Sequence, residues 1–258
     1  MTTLNFPSTR EIRLQKAPLE EVVCQVKFAP ILRISKEPPS DFQEAVRQRF
    51  PSLVVEQGVL VQFPGVAGAE KPSMESTPRV YRFRTLNELS HIALAMDFFA
   101  LSTRQYTHWE DFVQDVESGY EAVQKVYQLP HATRIGLRFI NRFDQKNTGC
   151  TSTEQILDLF RPELTCLLRA DVWKEPREFL SQIILSDDKA KLAIRVGFGR
   201  ENDEAFFALD LDYFEEGQVS LDNLTERLNH YHTRIYDAFR WCMLEKSLEQ
   251  FEPLHEGT

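Results

Sequence analysis

Glycine is scarce in this chain, with only ten among 258 residues. Loops that cradle nucleotide phosphates need several glycines at fixed spacing, because the backbone must approach the phosphates closely. The nearest pattern is Gly197-Phe198-Gly199, which lacks both a third glycine and a following helix. It fits a turn at the end of a strand better than a phosphate-binding loop. The sequence therefore predicts no nucleotide site, and no cofactor of any other kind is expected.

Cysteine is also sparse, and its spacing carries no metal or redox motif. Cys24, Cys150, Cys166 and Cys242 are widely separated and form no Cys-x-x-Cys pair. This spacing argues against a zinc knuckle or a thioredoxin-like motif and favours reduced thiols in a cytosol. No cysteine has a nucleophile signature around it, and no Gly-x-Ser-x-Gly elbow is present. Covalent catalysis by cysteine or serine is therefore not predicted.

Long apolar runs are missing as well. No stretch approaches the roughly 18 uninterrupted apolar residues that a membrane-spanning helix needs. The first sixteen residues contain no apolar core that a signal peptide would require. We therefore expect a cytoplasmic protein without a membrane partner.

The net charge of −9 is concentrated at the C-terminal end of the chain. Residues 201–258 contain 14 acidic and 4 basic side chains, a net of −10, so residues 1–200 are close to neutral. An acidic end disfavours the sequence-independent attraction to nucleic acid. The nearest approach to a basic strip is Arg79, Arg82 and Arg84, which we interpret as the solvated face and end of a strand.

Periodic apolar residues predict a mixture of strands and helices. Strands are predicted at Val22–Phe28, Val59–Phe63, Val80–Leu86 and within the long apolar run His91–Arg104. Pro64–Pro78 collects Gly, Pro, Ser and Glu and predicts a loop. Capping-box patterns that begin at Ser40, Thr107 and Ser152 predict three helix starts. The clearest helix has an apolar stripe at helical spacing: Trp109, Phe112, Val113, Val116, Tyr120, Val123 and Tyr127.

The pattern of elements then repeats with an offset of roughly 110–115 residues. A second strand, Arg134–Phe143, alternates Ile135, Leu137 and Phe139 with Arg134, Gly136 and Arg138. A hairpin at residues 179–198, a strand at Ala205–Phe214 and a long helix capped by Ser220 follow it.

These elements predict an α+β fold of two tandem β-α-β-β-β-α units. The units span residues 1–130 and 131–258 and together form one compact duplicated domain. Each unit has an antiparallel sheet with its helices packed on one face. The two sheets would combine into a pseudo-two-fold saddle or a partly closed barrel, which would cover edges that isolated sheets must otherwise protect.

Four segments of the chain resemble one sporadically distributed prokaryotic family, the TIGR04255 family. They are RLQKAPLEEVVCQVKF at residues 13–28, LSTRQYTHWEDF at Leu101–Phe112, RIGLRFIN at Arg134–Asn141 and LDLDYF at Leu209–Phe214. The resemblance covers about Leu14 to Phe239, and the Arg134–Asn141 stretch is its most specific part. It implies no reaction and no catalytic residue. The patchy distribution of the family is typical of mobile, defence or toxin–antitoxin loci.

Carboxylates and arginines on the predicted strands supply the candidate site residues. Asp210 and Asp212 lie two apart, so they share one face of a strand and could hold Mg²⁺ with a third carboxylate such as Asp97. The favoured alternative is a ladder of carboxylate–guanidinium pairs across neighbouring strands, with Arg134 and Arg138 as the partners. No metal site is therefore assigned.

The same arginines allow a nucleic-acid hypothesis. A saddle that binds nucleic acid needs basic and aromatic residues on its exposed sheet face. Five arginines lie in predicted strands and three aromatic residues are interleaved with them: Arg82, Arg84, Arg134, Arg138 and Arg195, with Tyr81, Phe83 and Phe139. They would line one concave face, or the arginines would pair with carboxylates instead.

The leading interpretation is a non-enzymatic protein that binds a protein partner encoded nearby, using its sheets and the Pro64–Pro78 loop. Self-association into a homo-oligomer is expected, since large sheets have edges that need covering. Two alternatives stay open. One is a nucleic-acid-binding module that uses the arginine-bearing strands, and the other is an enzyme with a scattered site around Asp97, Arg138, Asp210 and Asp212.

Overall fold

The structure is a computed structural model that describes residues 4–57, 79–172 and 176–254. Over these residues the chain has an α+β fold, with nine strands in one antiparallel sheet and helices between them. The strand order is β2-β3-β4-β5-β1-β6-β9-β8-β7. The predicted strand Val59–Phe63 and the predicted loop Pro64–Pro78 lie outside the described residues.

The strands have the following bounds: β1 Leu19–Lys27, β2 Ser52–Gln57, β3 Arg79–Arg84, β4 Ser90–Ala95, β5 Phe98–Thr103, β6 Ala132–Phe143, β7 Phe179–Asp187, β8 Ala190–Glu201 and β9 Glu204–Val219. The α-helices are α1 Leu32–Lys36, α2 Ser40–Val46, α3 Trp109–Tyr127, α4 Gln145–Thr148, α5 Thr153–Leu157, α6 Pro162–Thr165 and α7 Leu224–Cys242. Two 3₁₀ helices lie at Cys166–Arg169 and Glu245–Phe251. Within the described ranges, no helix has both the length and the apolar character needed to cross a bilayer.

The chain divides into two compact units. Among the described residues, the first unit takes in 21–57, 79–137 and 215–228, and the second takes in 4–20, 138–172, 176–214 and 229–254. Strands β6 and β9 and helix α7 contribute residues to both units. The predicted tandem repeat and the saddle or barrel arrangement stay predictions.

In the first unit, helices α2 and α3 pack on the same face of the sheet. The register of β3, β4 and β5 places Phe83 opposite Ile92 and Ile92 opposite Leu101, so these side chains share one face. The ring of Phe42 from α2 meets Phe83 edge-on at 5.4 Å. A Cβ added at Gly119 of α3 would lie 2.8 Å from the ring of Phe99, which is also on that face. A glycine is therefore needed where α3 crosses the sheet.

In the second unit, aromatic rings form the core between the sheet and its helices. Phe143 of β6 packs edge-on against Phe160 at 4.7 Å, and Phe160 in turn lies 4.1 Å from Phe207 of β9. Tyr213 of β9 packs on Tyr231 of α7 at 5.0 Å. These side chains are all nearly completely buried. Their burial fixes which face of β6 and β9 meets the helices.

The structure corrects several local predictions. The apolar run His91–Arg104 is a hairpin, β4 and β5, because the chain turns at Met96-Asp97 between them. Ser152 caps α5 by accepting a hydrogen bond from the Gln155 N–H, as predicted. Ser40 instead lies inside α2, and α3 begins at Trp109 without a side-chain cap. Helix α7 begins at Leu224, four residues after the predicted cap.

Candidate functional site

The second unit carries a ladder of ion pairs on the sheet face opposite its helices. Arg138 of β6 binds Asp210 of β9 through two hydrogen bonds, Nε to Oδ1 at 2.7 Å and Nη2 to Oδ2 at 2.8 Å. This is the bidentate geometry in which a guanidinium matches a carboxylate best. The predicted carboxylate–guanidinium pairing is therefore observed between these two residues.

Arg195 of β8 extends this ladder across two more strands. It donates from Nη1 to Asp210 at 3.2 Å, and its Nη2 lies 3.5 Å from an oxygen of Asp212. Its Nε donates to the side-chain oxygen of Gln182 of β7 at 2.6 Å. We call Gln182, Arg195, Asp212, Asp210 and Arg138 the second-unit ladder. Its two carboxylates face two guanidinium groups, so the charges within the ladder are balanced.

Burial makes the second-unit ladder energetically significant. The side chains of Asp210 and Arg138 are only 10% and 18% exposed, respectively. A charge this far from water is tolerated when it is paired and hydrogen-bonded, and removing one partner of such a pair typically costs about 3–5 kcal/mol. The ladder consequently contributes to the alignment of the strands that it joins.

The first unit has a comparable polar line on its own sheet face opposite α2 and α3. Arg82 of β3 donates from Nε to Glu56 of β2 at 2.8 Å. Its Nη1 lies 2.7 Å from Nε2 of His91 on β4. An arginine nitrogen can only donate, so Nε2 of His91 accepts and the ring is neutral. Burial, together with the positive charge of Arg82, lowers the pKa of His91 to about 4.

Three further contacts complete the polar line of the first unit. Arg84 lies 3.6 Å from Glu56, so this carboxylate faces two guanidinium groups. Ser102 of β5 donates to Glu21 of β1. Arg134 donates to the side-chain oxygen of Gln25 at 3.4 Å. We call Glu56, Arg82, Arg84, His91, Ser102, Glu21, Gln25 and Arg134 the first-unit polar line.

The guanidinium of Arg134 lies flat on the sheet. A Cβ added at the neighbouring Gly136 would come within 2.4 Å of it. A larger residue at position 136 would displace the guanidinium, which is the far end of a flexible side chain and can move.

The aromatic residues proposed for a nucleic-acid face lie on the other side of the sheet. Tyr81, Phe83 and Phe139 are buried, with exposed fractions of 9% or less. Phe83 meets Phe42 of α2, and Phe139 lies 5.7 Å from the ring of His232 on α7. Strand alternation separates them from the arginines. The prediction that these aromatic residues share a face with Arg82, Arg84 and Arg138 is therefore wrong.

Asp97 is not part of the second-unit ladder or of the first-unit polar line. It occupies the turn between β4 and β5 in the first unit, where its backbone oxygen accepts a hydrogen bond from the Phe28 N–H at 2.9 Å. Asp210 and Asp212 belong to the second unit. The described residues contain no group of three His, Cys, Asp or Glu side chains that could hold a metal ion.

Two buried cysteines, Cys24 and Cys242, are held as thiols. Burial raises the pKa of Cys24 and of Cys242 to about 12, although a nearby arginine in each case acts in the opposite direction. A thiol in that state is a poor nucleophile, because the thiolate is the reactive form.

Sequence reasoning missed a buried hub in the second unit. Asp187, which lies within the predicted hairpin at residues 179–198, accepts hydrogen bonds from the Tyr213 hydroxyl at 2.8 Å, from Nε of Arg234 at 2.9 Å and from the Leu4 N–H at 3.0 Å. Burial raises the pKa of Asp187, but these three donors outweigh it and hold that pKa below its usual value.

Further contacts attach the N-terminal segment, residues 4–12, to α7. The Thr9 N–H donates to Asp237 at 3.1 Å and the Ile12 N–H donates to the Tyr236 hydroxyl at 2.8 Å. Phe6 packs against Trp241 with ring centres 5.7 Å apart. The segment is therefore an integral part of the second unit.

The terminal strands in the order, β2 and β7, expose apolar side chains. On β7, Leu180, Ile183 and Ile184 are 43%, 52% and 53% exposed. On β2, Leu53, Val54 and Val55 are also exposed. Consecutive residues of a strand point to opposite faces, so each terminal strand is apolar on both faces. Edge strands with this character are candidates for pairing with another chain.

Comparison with known proteins adds no family and no function. No protein-family model and no curated protein matches the chain. Among solved structures, the crystal structure of DynU16, a protein in the dynemicin biosynthetic locus, aligns with 90% of this chain and 97% of its own. The sequence identity is 13% and the TM-score is 0.19. At this score the likeness carries no argument about fold or activity.

Proposed function

We propose that this chain is a non-catalytic interaction component that binds other protein chains by strand addition at the terminal strands β2 and β7. The observation that carries the proposal is the exposure of branched apolar side chains on both faces of these two strands. An edge strand offers unpaired backbone donors and acceptors, and an added strand gains main-chain hydrogen bonds as well as apolar contacts.

The composition of β7 supports this role. From Phe179 to Ser186 its sequence is FLSQIILS, which contains no charged residue and no proline. Natural proteins usually protect long edge strands with lysine, proline or a bulge, because an unprotected edge pairs with other strands. A nine-residue edge without such protection is suited to a specific partner.

The chemistry of the second-unit ladder and of the first-unit polar line supports a role without a reaction. Asp210 and Glu56 each accept hydrogen bonds from guanidinium groups, and His91 accepts one from Arg82. The oxygens of both carboxylates are engaged by guanidinium donors, and a histidine whose pKa is near 4 is unprotonated at neutral pH. These groups are therefore better suited to aligning strands than to moving protons.

The resemblance to a family with a patchy distribution indicates where a partner would be encoded. Proteins of mobile, defence or toxin–antitoxin loci commonly act together with the product of a neighbouring gene. We accordingly propose that the heterologous partner is encoded nearby and that it binds at β2 of the first unit.

The test is purification of the tagged protein from its native host, with and without nuclease treatment, followed by identification of the proteins that accompany it. We expect a stoichiometric partner that resists nuclease. Val54→Lys together with Val55→Lys in β2 should remove it, whereas Leu86→Lys, at a position that is 85% exposed in the turn after β3, should retain it. Nucleic acid whose removal also removes every accompanying protein would instead support the arginine-bearing strands as the binding surface.

A further inference from the structure

We infer that β7 pairs antiparallel with β7 of a second copy of this chain, in the register that places Gln182 opposite itself. The inference rests on the proposed function and names the partner at one terminal strand. It would join the sheets of two copies around a two-fold axis.

The first step is the symmetry of such a pair. In an isologous dimer formed by one edge strand, a two-fold axis perpendicular to the sheet passes through a single residue position. Side chains directly opposite one another then lie on the same face of the sheet. The central positions of the strand, Gln182, Ile183 and Ile184, therefore define the three registers in which most of β7 is paired.

Charge complementarity distinguishes these registers. With Ile183 on the axis, Arg177 would face Lys189 and Glu178 would face Asp188, so like charges would oppose each other at both ends. Like charges directly opposite in a sheet are destabilising.

With Ile184 on the axis, Asp188 would face Leu180 and Lys189 would face Phe179, which places charges against apolar side chains. With Gln182 on the axis, Glu178 faces Ser186, and Arg177 lies opposite Asp187, a buried carboxylate that is already paired with Arg234. Only this register of the three avoids an unfavourable charge.

The Gln182 register also brings the apolar side chains of β7 together. Leu180 faces Ile184 on the side of the sheet that carries the second-unit ladder, and Phe179 faces Leu185 on the helix side. Both pairs occur twice because of the two-fold symmetry. Leu180 and Ile184, about half exposed in the single chain, would lose most of that exposure. In this register the strand is thus self-complementary in apolar character and opposes no like charges.

Sedimentation velocity over a wide concentration range is the first experiment. We expect the wild-type protein to dimerise, and Ile184→Glu to raise the dissociation constant at least tenfold, because the new carboxylate faces Leu180 of the second copy. Leu180→Lys alone should weaken the dimer similarly. The double variant Leu180→Lys, Ile184→Glu should restore much of it, since each lysine then faces a glutamate of the other copy. Leu86→Glu is the exposed control and should leave the dimer unchanged.

Site-directed crosslinking tests the register itself. In a Cys166→Ser background, which removes the exposed native thiol, Gln182→Cys should form a disulfide-linked dimer under mild oxidation. Residues directly opposite in an antiparallel pair have Cα atoms about 4.5–5.5 Å apart, which suits a disulfide. Ser181→Cys should not crosslink to itself, because residue 181 faces residue 183.

The inference would be overturned if the wild-type protein were monomeric at every concentration, or if the dimer were insensitive to Ile184→Glu. A dimer that crosslinks through Ser181→Cys and not through Gln182→Cys would also overturn it. The inference would also be overturned if the chain released by Ile184→Glu were a heterologous protein and not a second copy of this chain. The β2 variants separate this failure from that of the proposed function, since they test capture of the heterologous partner and leave β7 unchanged.

Discussion

Replacement of Asp187 by asparagine is expected to weaken the second unit more than any other single isosteric change in it. The side chain keeps its size, so no cavity forms. Asparagine nevertheless has one acceptor oxygen where aspartate has two, and its amide group is a donor. Because Leu4, Tyr213 and Arg234 all donate to Asp187, the new amide must face at least one of these donors.

The magnitude follows from the burial and the charge of the contacts. A hydrogen bond to a charged group contributes about 1.5–3 kcal/mol, and leaving a buried charge without its partner costs more. Arg234 is only 14% exposed and would lose the nearer of its two carboxylates, keeping Asp237 at 3.9 Å. We expect a loss of about 2–4 kcal/mol in the free energy of unfolding. Tyr213→Phe, which removes one donor and leaves two, should cost about 1–2 kcal/mol.

Urea unfolding followed by circular dichroism measures both losses. Asp188→Asn is the matched control. Residue 188 is exposed and has a φ of 54°, a conformation that asparagine adopts readily, so no loss is expected. The double variant Asp187→Asn, Tyr213→Phe should lose less than the sum, because the two side chains share one contact.

Hydrogen exchange at residues 4–12 should increase in the Asp187→Asn variant, since the Leu4 N–H loses its acceptor. The pKa of Asp187 is lower in the folded chain than in the unfolded one, so its stabilisation is present above about pH 4 and is lost as the pH falls through the folded value. A variant whose midpoint and exchange match the wild type within error would refute the role assigned to Asp187.

Three other predictions concern the first unit and the ladder. The pKa of His91 is about 4 when folded and about 6.5 when unfolded, so the unfolded chain takes up a proton as the pH falls through this window. Between pH 7.5 and 5, His91→Gln should therefore lose about 1–2 kcal/mol less stability than the wild type; an identical pH profile would contradict this. Gly119→Ala should lower the free energy of unfolding by about 1 kcal/mol, because overpacking against the buried ring of Phe99 outweighs a gain of about 1 kcal/mol in helix propensity. Ser118→Ala, on the exposed side of α3, is the control and should not destabilise the protein. Arg138→Ala should lose about 2–4 kcal/mol by leaving Asp210 with one guanidinium fewer, as thermal unfolding would show; an unchanged fold with lost nucleic-acid retention would favour the nucleic-acid alternative.

Strand alternation made much of the sheet predictable. In β6 the sequence predicted that Ile135, Leu137 and Phe139 share one face and the arginines the other, and all three apolar residues are buried. The pairing of Arg138 with Asp210 was also expected from their positions on neighbouring strands. The same rule could have separated Tyr81 and Phe83 from the arginines beside them, since adjacent residues of a strand face opposite sides.

Long-range packing explains what the sequence did not indicate. Asp187 and Asp188 are identical neighbours, and only the approach of α7 and of residues 4–12 decides that the first is buried and the second exposed. The hairpin of β4 and β5 was hidden in one apolar run, because its turn contains a single polar residue, Asp97. The capping patterns failed at Ser40 and Thr107 because the N-cap residues of these helices are Pro39 and His108, and neither forms a side-chain cap.

The attachment of residues 4–12 to α7 has a consequence for biogenesis. The hydrogen bond from Arg234 to the Leu4 carbonyl joins residues 230 positions apart in the chain. A contact of this separation is slow to form, because a long loop must close before it contributes. During translation, residues 4–12 emerge early and stay without α7 until nearly the whole chain has been synthesised. Nascent chains should therefore acquire protease resistance at residues 4–12 only after α7 has been synthesised.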